Sequence, residues 1–179
     1  PPACIRPLTV AMAPLVPAVA GPPPPPGPGT RSGVSWGSVP LPSGANESQG
    51  CFRINEFGET VGTAFSSSLT SDGWGFFSNG LQSQSLPTNR GGAPFASGLN
   101  NLAELVGVQT ESTTNFMALW EPVSTVFLVT EMDTLIPNKP TWVLEYGFDI
   151  NDDGMICGEG RKVEKGRSTW SGVLVIPND

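Results

Sequence analysis

A run of acidic and amide residues at positions 149–154 carries the chemistry of a calcium loop. Its order, Asp-Ile-Asn-Asp-Asp-Gly, matches the first half of the D-x-N-x-D-G pattern, in which Asp149, Asn151 and Asp153 would supply oxygen ligands. A complete loop needs a bidentate carboxylate at its twelfth position, where this sequence has Gly160, with Glu159 one residue early. We therefore predict a tight turn and no cofactor, with calcium on those three side chains as the alternative.

Catalytic chemistry is restricted because the sequence contains no histidine. Ser-His-Asp and Cys-His mechanisms both require an imidazole, so the sequence excludes them. Carboxylates that are close in sequence, such as Asp152 and Asp153 or Glu159 and Glu164, are expected in solvated turns rather than as a glycosidase pair. We predict that the protein is not an enzyme and has no catalytic residue.

The charge balance excludes another class of function. Nine Lys and Arg against sixteen Asp and Glu give a net charge of −7, and the basic residues form no cluster. Such a chain is poorly suited to track a phosphate backbone, so we predict no nucleic-acid partner. The apolar run near the start of the sequence is interrupted by Pro7, Pro14 and Pro17, and we predict no transmembrane segment.

Three scattered cysteines, Cys4, Cys51 and Cys157, lack the close spacing of a zinc site. An odd count allows one internal bridge with a leftover thiol, a set of free buried thiols, or a bridge between chains through Cys4. The sequence does not choose among these three arrangements.

Two further features point to sugars. Asn46-Glu47-Ser48 is an N-glycosylation sequon, which makes Asn46 a candidate for modification in a secreted glycoprotein. Trp36 and Trp142 lie outside the periodic landmarks described next, and we consider them candidates for stacking against glycan rings.

An internal repeat organises the rest of the chain. Segments 52–62, 97–107 and 148–158 share a frame of Ile or Leu, then Asn, two variable residues, Gly or Ala, and a closing Gly. Asparagine tolerates left-handed backbone angles and glycine adopts positive φ freely, so each frame predicts a tight hairpin turn. If the Ala position requires positive φ, that turn must either carry strain of about 1 kcal/mol or change type. The predicted turn residues are Asn55 and Gly58, Asn100 and Ala103, and Asn151 and Gly154.

Each unit has the composition of β-structure, because short apolar runs alternate with Gly, Asn, Asp and Ser and none keeps a helical period. An apolar-Pro pair precedes each frame, and Trp74, Trp120 and Trp170 follow it at similar distances. We expect these tryptophans to pack between units. The predicted strands are 50–54, 60–65, 73–78, 95–99, 104–110, 115–121, 125–130, 141–150, 155–160 and 171–176.

The first 32 residues form a separate, proline-rich arm. Residues 4–21 have the layout of a signal peptide with a small-residue cleavage site, and Pro22 to Pro26 predict a short polyproline helix that would serve as a linker. We interpret the arm as a retained extended segment that another subunit holds, at a sheet edge or in a groove. The candidate contact residues are Cys4, Ile5, Leu8, Val10, Met12, Leu15, Val16 and Val19.

The repeat frame resembles the HAF repeat, a bacterial extracellular repeat named from a His-Ala-Phe signature. The resemblance covers residues 33–179 and is closest in the last unit, at Leu135-Ile136-Pro137, Trp142, the turn at 150–154 and the run 173–177. The signature His is missing throughout. The resemblance implies a secreted, propeller-like β-protein and supplies no catalytic residue.

These observations predict an all-β protein with an arm at 1–32 and a β domain at 33–179, divided into units at about 33–80, 81–124 and 125–179. Three units are fewer than a propeller normally needs. The segment 33–50 could add strands, the units could form a prism, or neighbouring chains could complete the structure. We predict a non-catalytic extracellular structural protein, part of a self-assembling filament or surface lattice. The alternative is a secreted carbohydrate-binding or adhesive module.

Overall fold

The computed structural model describes residues 8–10, 38–45, 47–65, 73–136 and 141–177, and the fold is all-β. One helical turn, α1 (Met132–Leu135), interrupts the strands. The strands are β1 (Leu8–Val10), β2 (Glu47–Ile54), β3 (Thr60–Phe65), β4 (Trp74–Ser78), β5 (Ser83–Ser85), β6 (Pro94–Leu99), β7 (Leu105–Glu111), β8 (Thr114–Val123), β9 (Val126–Glu131), β10 (Trp142–Ile150), β11 (Ile156–Glu164) and β12 (Arg167–Pro177).

The strands form three antiparallel sheets of four strands each. The first sheet has the order β2-β3-β4-β5 and the second has β6-β7-β8-β9. The third has β10-β11-β12-β1, so β1 takes the place that β5 and β9 take in the other two. Within each sheet the strands that follow one another in the chain are neighbours, which short turns make possible. At the β11–β12 turn, Lys165 and Gly166 both have positive φ, the backbone of a tight two-residue hairpin.

The sheets pack face to face in chain order. β6 of the second sheet lies against β2, β3 and β4, and β10 of the third sheet lies against β6, β7 and β8. Alternation along β7 sends Leu105 into the core between the first two sheets and Val106 into the core between the last two. The second sheet is therefore covered on both faces by its neighbours.

The core between the first and second sheets contains Val61, Phe77, Leu86, Ala96, Leu99, Leu105, Ala118, Trp120 and Phe127. The core between the second and third sheets contains Val106, Met117, Met132, Ile136, Leu144, Ile150, Ile156, Val173 and Val175. An ion pair of 3.6 Å between Arg53 Nε and Asp149 Oδ1 also links the first sheet to the third.

The sheets group the strands differently from the predicted units. β5 falls in the predicted second unit but pairs with β4 of the first sheet, and β9 falls in the predicted third unit but pairs with β8 of the second. The outer strands carry none of the landmarks that define the repeat, so the sequence frame locates the turns and not the sheet boundaries.

Candidate functional site

The three predicted turns close three hairpins in the same way. In the first, Asn55 Oδ1 accepts hydrogen bonds from the backbone N–H groups of Phe57 and Glu59, at 3.1 and 3.0 Å. The Asn100 and Asn151 side chains accept the corresponding pairs in the second and third turns. This bonding explains why asparagine occupies the position, since its short amide satisfies two turn amides that would otherwise lack partners.

The fourth residue of each turn adopts positive φ: 79° at Gly58, 58° at Ala103 and 73° at Gly154. In each case its N–H donates to the carbonyl of the turn asparagine, at 3.1, 3.3 and 3.0 Å. Ala103 therefore keeps the turn type and accepts the left-handed conformation, which is the strained alternative of the two that the sequence predicted.

The three turns also bind to one another. Asn55 Nδ2 donates to the carbonyl of Asn100 at 3.1 Å, and Asn100 Nδ2 donates to the carbonyl of Asn151 at 3.0 Å. One residue further on, the N–H of Glu56 donates to Asn101 Oδ1, and the N–H of Asn101 donates to Asp152 Oδ1. The turns thus form a column in which each sheet repeats the bonds of the one before it.

A shallow depression of about 460 Å³ lies along this column. It is lined by Ile54, Asn55, Glu56, Leu99, Asn100, Asn101, Ile150, Asn151 and Asp152. Most of its polar atoms hydrogen-bond to other residues of the column, so these groups serve to join the sheets.

The calcium alternative lies at the third turn. Asn151 Oδ1 accepts two turn amides, and Asp149 Oδ1 accepts the N–H of Ile150 and faces Arg53. These bonds account for Asp149 and Asn151 as parts of the turn. Within the described ranges, no three His, Cys, Asp or Glu side chains are grouped for a metal ion.

The arm reaches a sheet edge. Leu8, Thr9 and Val10 pair antiparallel with Pro177, Ile176 and Val175 of β12. The strand lies on the chain's own third sheet, whereas the sequence predicted a contact with another subunit. The other candidate arm residues, Cys4, Ile5, Met12, Leu15, Val16 and Val19, lie outside the described residues, as do Trp36 and Asn46.

The tryptophans are not equivalent in the fold. The first residues of β3, β7 and β11 pair with Ser78, Trp120 and Val175, so only the second unit has Trp at this place. Trp120 is fully buried between the first two sheets, which confirms the packing prediction for this residue. Trp170 is 49% exposed, so the prediction is wrong there. The strands and connections between each turn and its tryptophan differ in length. Tryptophans at equal distances in sequence therefore pair with different positions of the neighbouring strand.

An aromatic cluster that sequence reasoning missed lies on the third sheet, where the Tyr146 hydroxyl accepts a hydrogen bond from Asn115 Nδ2 of the second sheet. The rings of Tyr146 and Phe148 stack with centroids 6.4 Å apart, and the Trp170 ring lies 6.4 Å from that of Tyr146. Phe148 is about half-exposed, whereas Trp142 is partly buried against the core. The signal was the spacing of aromatic residues on one face of β10, which the repeat frame did not include.

Cys51 and Cys157 are free thiols, and both are exposed. The sequence allowed one internal bridge or a set of buried thiols, and these two cysteines are neither bridged nor buried. Cys51 lies in β2 of the first sheet and Cys157 in β11 of the third.

Three charged groups, Arg90, Glu111 and Glu131, fix the connection between the first and second sheets. Arg90 Nε and Nη2 donate to the Glu131 carboxylate at 2.6 Å each, and its Nη1 donates to Glu111 at 2.9 Å. These bonds raise the pKa of Arg90 further above its ordinary value.

Elsewhere in the second sheet, burial raises the pKa of the Glu121 carboxyl, and the negative charge of Glu104 raises it further.

Comparison with protein-family models, with curated proteins and with solved structures finds no match for this chain. In the described part of the chain, no helix has the length and apolar character needed to cross a membrane.

Proposed function

We propose that this chain is a non-catalytic extracellular structural protein, a subunit of a filament or surface assembly whose arm docks on a neighbouring subunit. The observation that carries the proposal is the pairing of Leu8–Val10 with β12. It identifies the outer edge of the third sheet as an acceptor for an added strand, a recurring mode of binding between chains.

Chain connectivity supports donation of the arm to a neighbour. The outer strand β5 leads directly into the inner strand of the second sheet, and β9 leads into that of the third. In both cases the two connected sheets pack against each other. In both connections, an outer strand leads into the inner strand of the sheet that packs beside its own. β1 is the outer strand of the third sheet and leads into β2, the inner strand of the first, so this rule places a first sheet beside the third. A first sheet from a neighbouring copy, bringing its own β1, satisfies this rule by strand exchange.

The propeller-like form and the resemblance to HAF repeats belong to the same proposal. Three sheets that pack in series with equivalent turns are what successive propeller blades would give. The absence of histidine from the sequence removes the commonest general base, which supports a structural rather than a catalytic role.

The test is removal of residues 1–32, followed by sedimentation velocity and circular dichroism. We expect the full chain to form oligomers and the shortened chain to remain a folded β-rich monomer. Equal sedimentation of the two proteins, or a full chain that is monomeric at every concentration, would overturn the proposal.

A finer control uses Thr9→Pro and Val10→Pro as separate variants. Successive N–H groups of a strand point to opposite sides, so only one of these prolines removes a bond to β12. We expect one variant to lose assembly and the other to retain it. Full assembly of both variants would show that the strand does not hold the subunits together.

The aromatic cluster favours a second candidate, a carbohydrate-binding or adhesive module. Phe148 and Trp170 are each about half-exposed beside Tyr146, and exposed aromatic rings are the kind of group that stacks on sugars. Binding to insoluble cellulose, chitin or peptidoglycan that Trp170→Ala abolishes and Trp142→Phe leaves intact would support this candidate. Retention of the native chain on none of the three would argue against it.

A further inference from the structure

The three sheets can be aligned residue by residue through their turns. Gly62, Gly107 and Gly158 hold the same position in β3, β7 and β11, and they pair with Cys51, Ala96 and Gly147. A bulge follows that residue in all three sheets. The residues just before the three glycines are Val61, Val106 and Cys157. The alignment therefore defines an inner position (51, 96, 147) and a facing position (61, 106, 157).

The inner and facing positions meet wherever two sheets pack. A Cβ added to Gly147 of the third sheet would lie 3.3 Å from the Cβ of Val106 in the second. Val61 of the first sheet and Ala96 of the second share one core. Each interface within the chain thus pairs the facing position of one sheet with the inner position of the next.

A cysteine lies at each end of the stack of sheets, one at a facing position and one at an inner position. Cys157 holds the facing position of the third sheet and Cys51 holds the inner position of the first. Among the described residues, no sheet follows the third and none precedes the first. Val61 and Val106 are fully buried, whereas Cys157 is exposed, as is Cys51.

Other equivalent residues show the same change at the ends. Leu99 and Ile150, which precede the second and third turns, are 7% and 5% exposed, but Ile54 before the first turn is 69% exposed. Leu174 is 38% exposed, although its counterpart Phe77 in the first sheet is buried. Each end therefore carries an apolar surface that the internal interfaces cover.

The turn column has matching groups left at its ends. Asn151 Nδ2 holds the place of the Asn55 and Asn100 donors but finds no acceptor among the described residues. The carbonyl of Asn55 holds the place of the acceptors at Asn100 and Asn151. Both open groups match those joined inside the chain, so a first sheet stacked on a third sheet would continue the column.

We propose that a second copy of the chain stacks head to tail on the first, and that Cys157 of one copy forms a disulfide with Cys51 of the next. The inference rests on the proposed assembly function and names the surfaces that would join. The same contact can close a ring of two copies or continue as a filament, depending on the rotation between copies.

Inside the chain, the Cβ positions of a facing residue and an inner residue are separated by nearly the distance that a disulfide requires. Bridged cysteines have Cβ atoms about 3.5–4.5 Å apart, and the internal interface brings the corresponding atoms slightly closer than that. Oxidised glutathione can supply the oxidation by thiol–disulfide exchange. Two protein thiols lose two electrons and two protons to form one S–S bond, and one glutathione disulfide is reduced to two molecules of glutathione.

The experiment mixes two variants in a Cys4→Ser background. Cys51→Ser retains only Cys157, and Cys157→Ser retains only Cys51, so neither alone can form the proposed bond. After oxidation with glutathione disulfide, we expect each variant alone to run as a monomer on a non-reducing gel. The equimolar mixture should give a band of double mass that disappears on reduction, and peptide mass mapping should join Cys51 to Cys157.

Several results would overturn the inference. They are a mixture that stays monomeric, a dimer within one variant alone equal to that in the mixture, or an internal Cys51–Cys157 bridge in the Cys4→Ser monomer. Sedimentation velocity of the native chain under reducing conditions separates the two proposals. Arm-dependent oligomers without the mixed disulfide would reject only the stacking inference, whereas no oligomers at all would reject the proposed function.

Discussion

Leu99 and Ile54 hold the same place in successive turns of the chain, yet one is buried at 7% exposure and the other is 69% exposed. Their side chains are almost equal in size, and each precedes a turn asparagine with the same hydrogen bonds. The difference is the neighbouring sheet: the first sheet covers the second turn, whereas no sheet in the described part of the chain covers the first turn. Burial in this fold is thus set by stacking between sheets more than by the local sequence.

The same contrast separates the interior of the second sheet from the outer face of the third. Interior residues gain their stabilisation in the single chain, whereas residues of the end faces gain it only when something covers them. Substitutions at equivalent places should therefore have unequal effects on the stability of the monomer.

The largest expected difference is between two tryptophans. Trp120 is fully buried and its indole N–H donates to the carbonyl of Pro87 at 2.8 Å, so Trp120→Ala should lower the free energy of unfolding by about 3–5 kcal/mol. Trp170→Ala should cost about 1 kcal/mol or less, because half of that side chain is already in water. Urea unfolding of both variants measures the difference, and equal losses would contradict the stacked arrangement.

A smaller contrast is expected at the residues before the turns. Leu99→Ala should cost about 2–4 kcal/mol through the cavity that it leaves between the first two sheets. Ile54→Ala should change the stability of the monomer by about 0.5 kcal/mol at most. Unfolding at low protein concentration tests this pair, and a large loss in Ile54→Ala would show that the first sheet is covered within one chain.

The turns themselves provide a third test. Ala103→Gly should raise the free energy of unfolding by about 1 kcal/mol, because glycine takes the 58° φ of this residue without steric cost. Gly58→Ala should lower it by a similar amount, since φ is 79° there and the space around a Cβ is open. Thermal melts of the two single variants should shift in opposite directions, and a shift in the same direction would refute the backbone explanation.

The smallest effect concerns pH. The pKa of Glu121 is raised in the fold, so its contribution to stability is greatest below the ordinary glutamate pKa of about 4.3 and is lost as pH rises through the raised pKa. Glu121→Gln should therefore gain stability at neutral pH, by about 0.5 kcal/mol, because the carboxyl is partly in solvent. Chemical unfolding of Glu121→Gln between pH 4 and pH 8 should show a free energy of unfolding that varies less with pH than that of the native chain.

The sequence predicted the fold class and the turns from local chemistry. Ten strands were predicted near their observed positions, because alternating apolar residues bounded by Gly and Asn carry a local signal. The strained Ala103 was recognised in the same way. Sequence alone missed β5 because Ser83–Ser85 has no apolar pattern, and it did not place β1, because pairing with β12 depends on contacts between distant residues.

The candidate surfaces were harder to predict. Cys51 and Cys157 are distant in sequence, and their equivalence to Ala96 and Val106 follows from strand register, which depends on the bulges. The repeated tryptophans were misleading for the same reason, since equal spacing did not give equal register. Which apolar residues remain exposed depends on where the stack of sheets ends, and no local pattern records that.

The most direct measurement is sedimentation velocity of Ile54→Asp beside Leu102→Asp. Both side chains are exposed, at 69% and 58%, but Ile54 lies on the proposed contact face and Leu102 lies at a turn tip. We expect Ile54→Asp to be a folded monomer, whereas Leu102→Asp should assemble like the native chain. Native-like assembly of Ile54→Asp, with the fold checked by circular dichroism, would contradict the proposed stacking of copies.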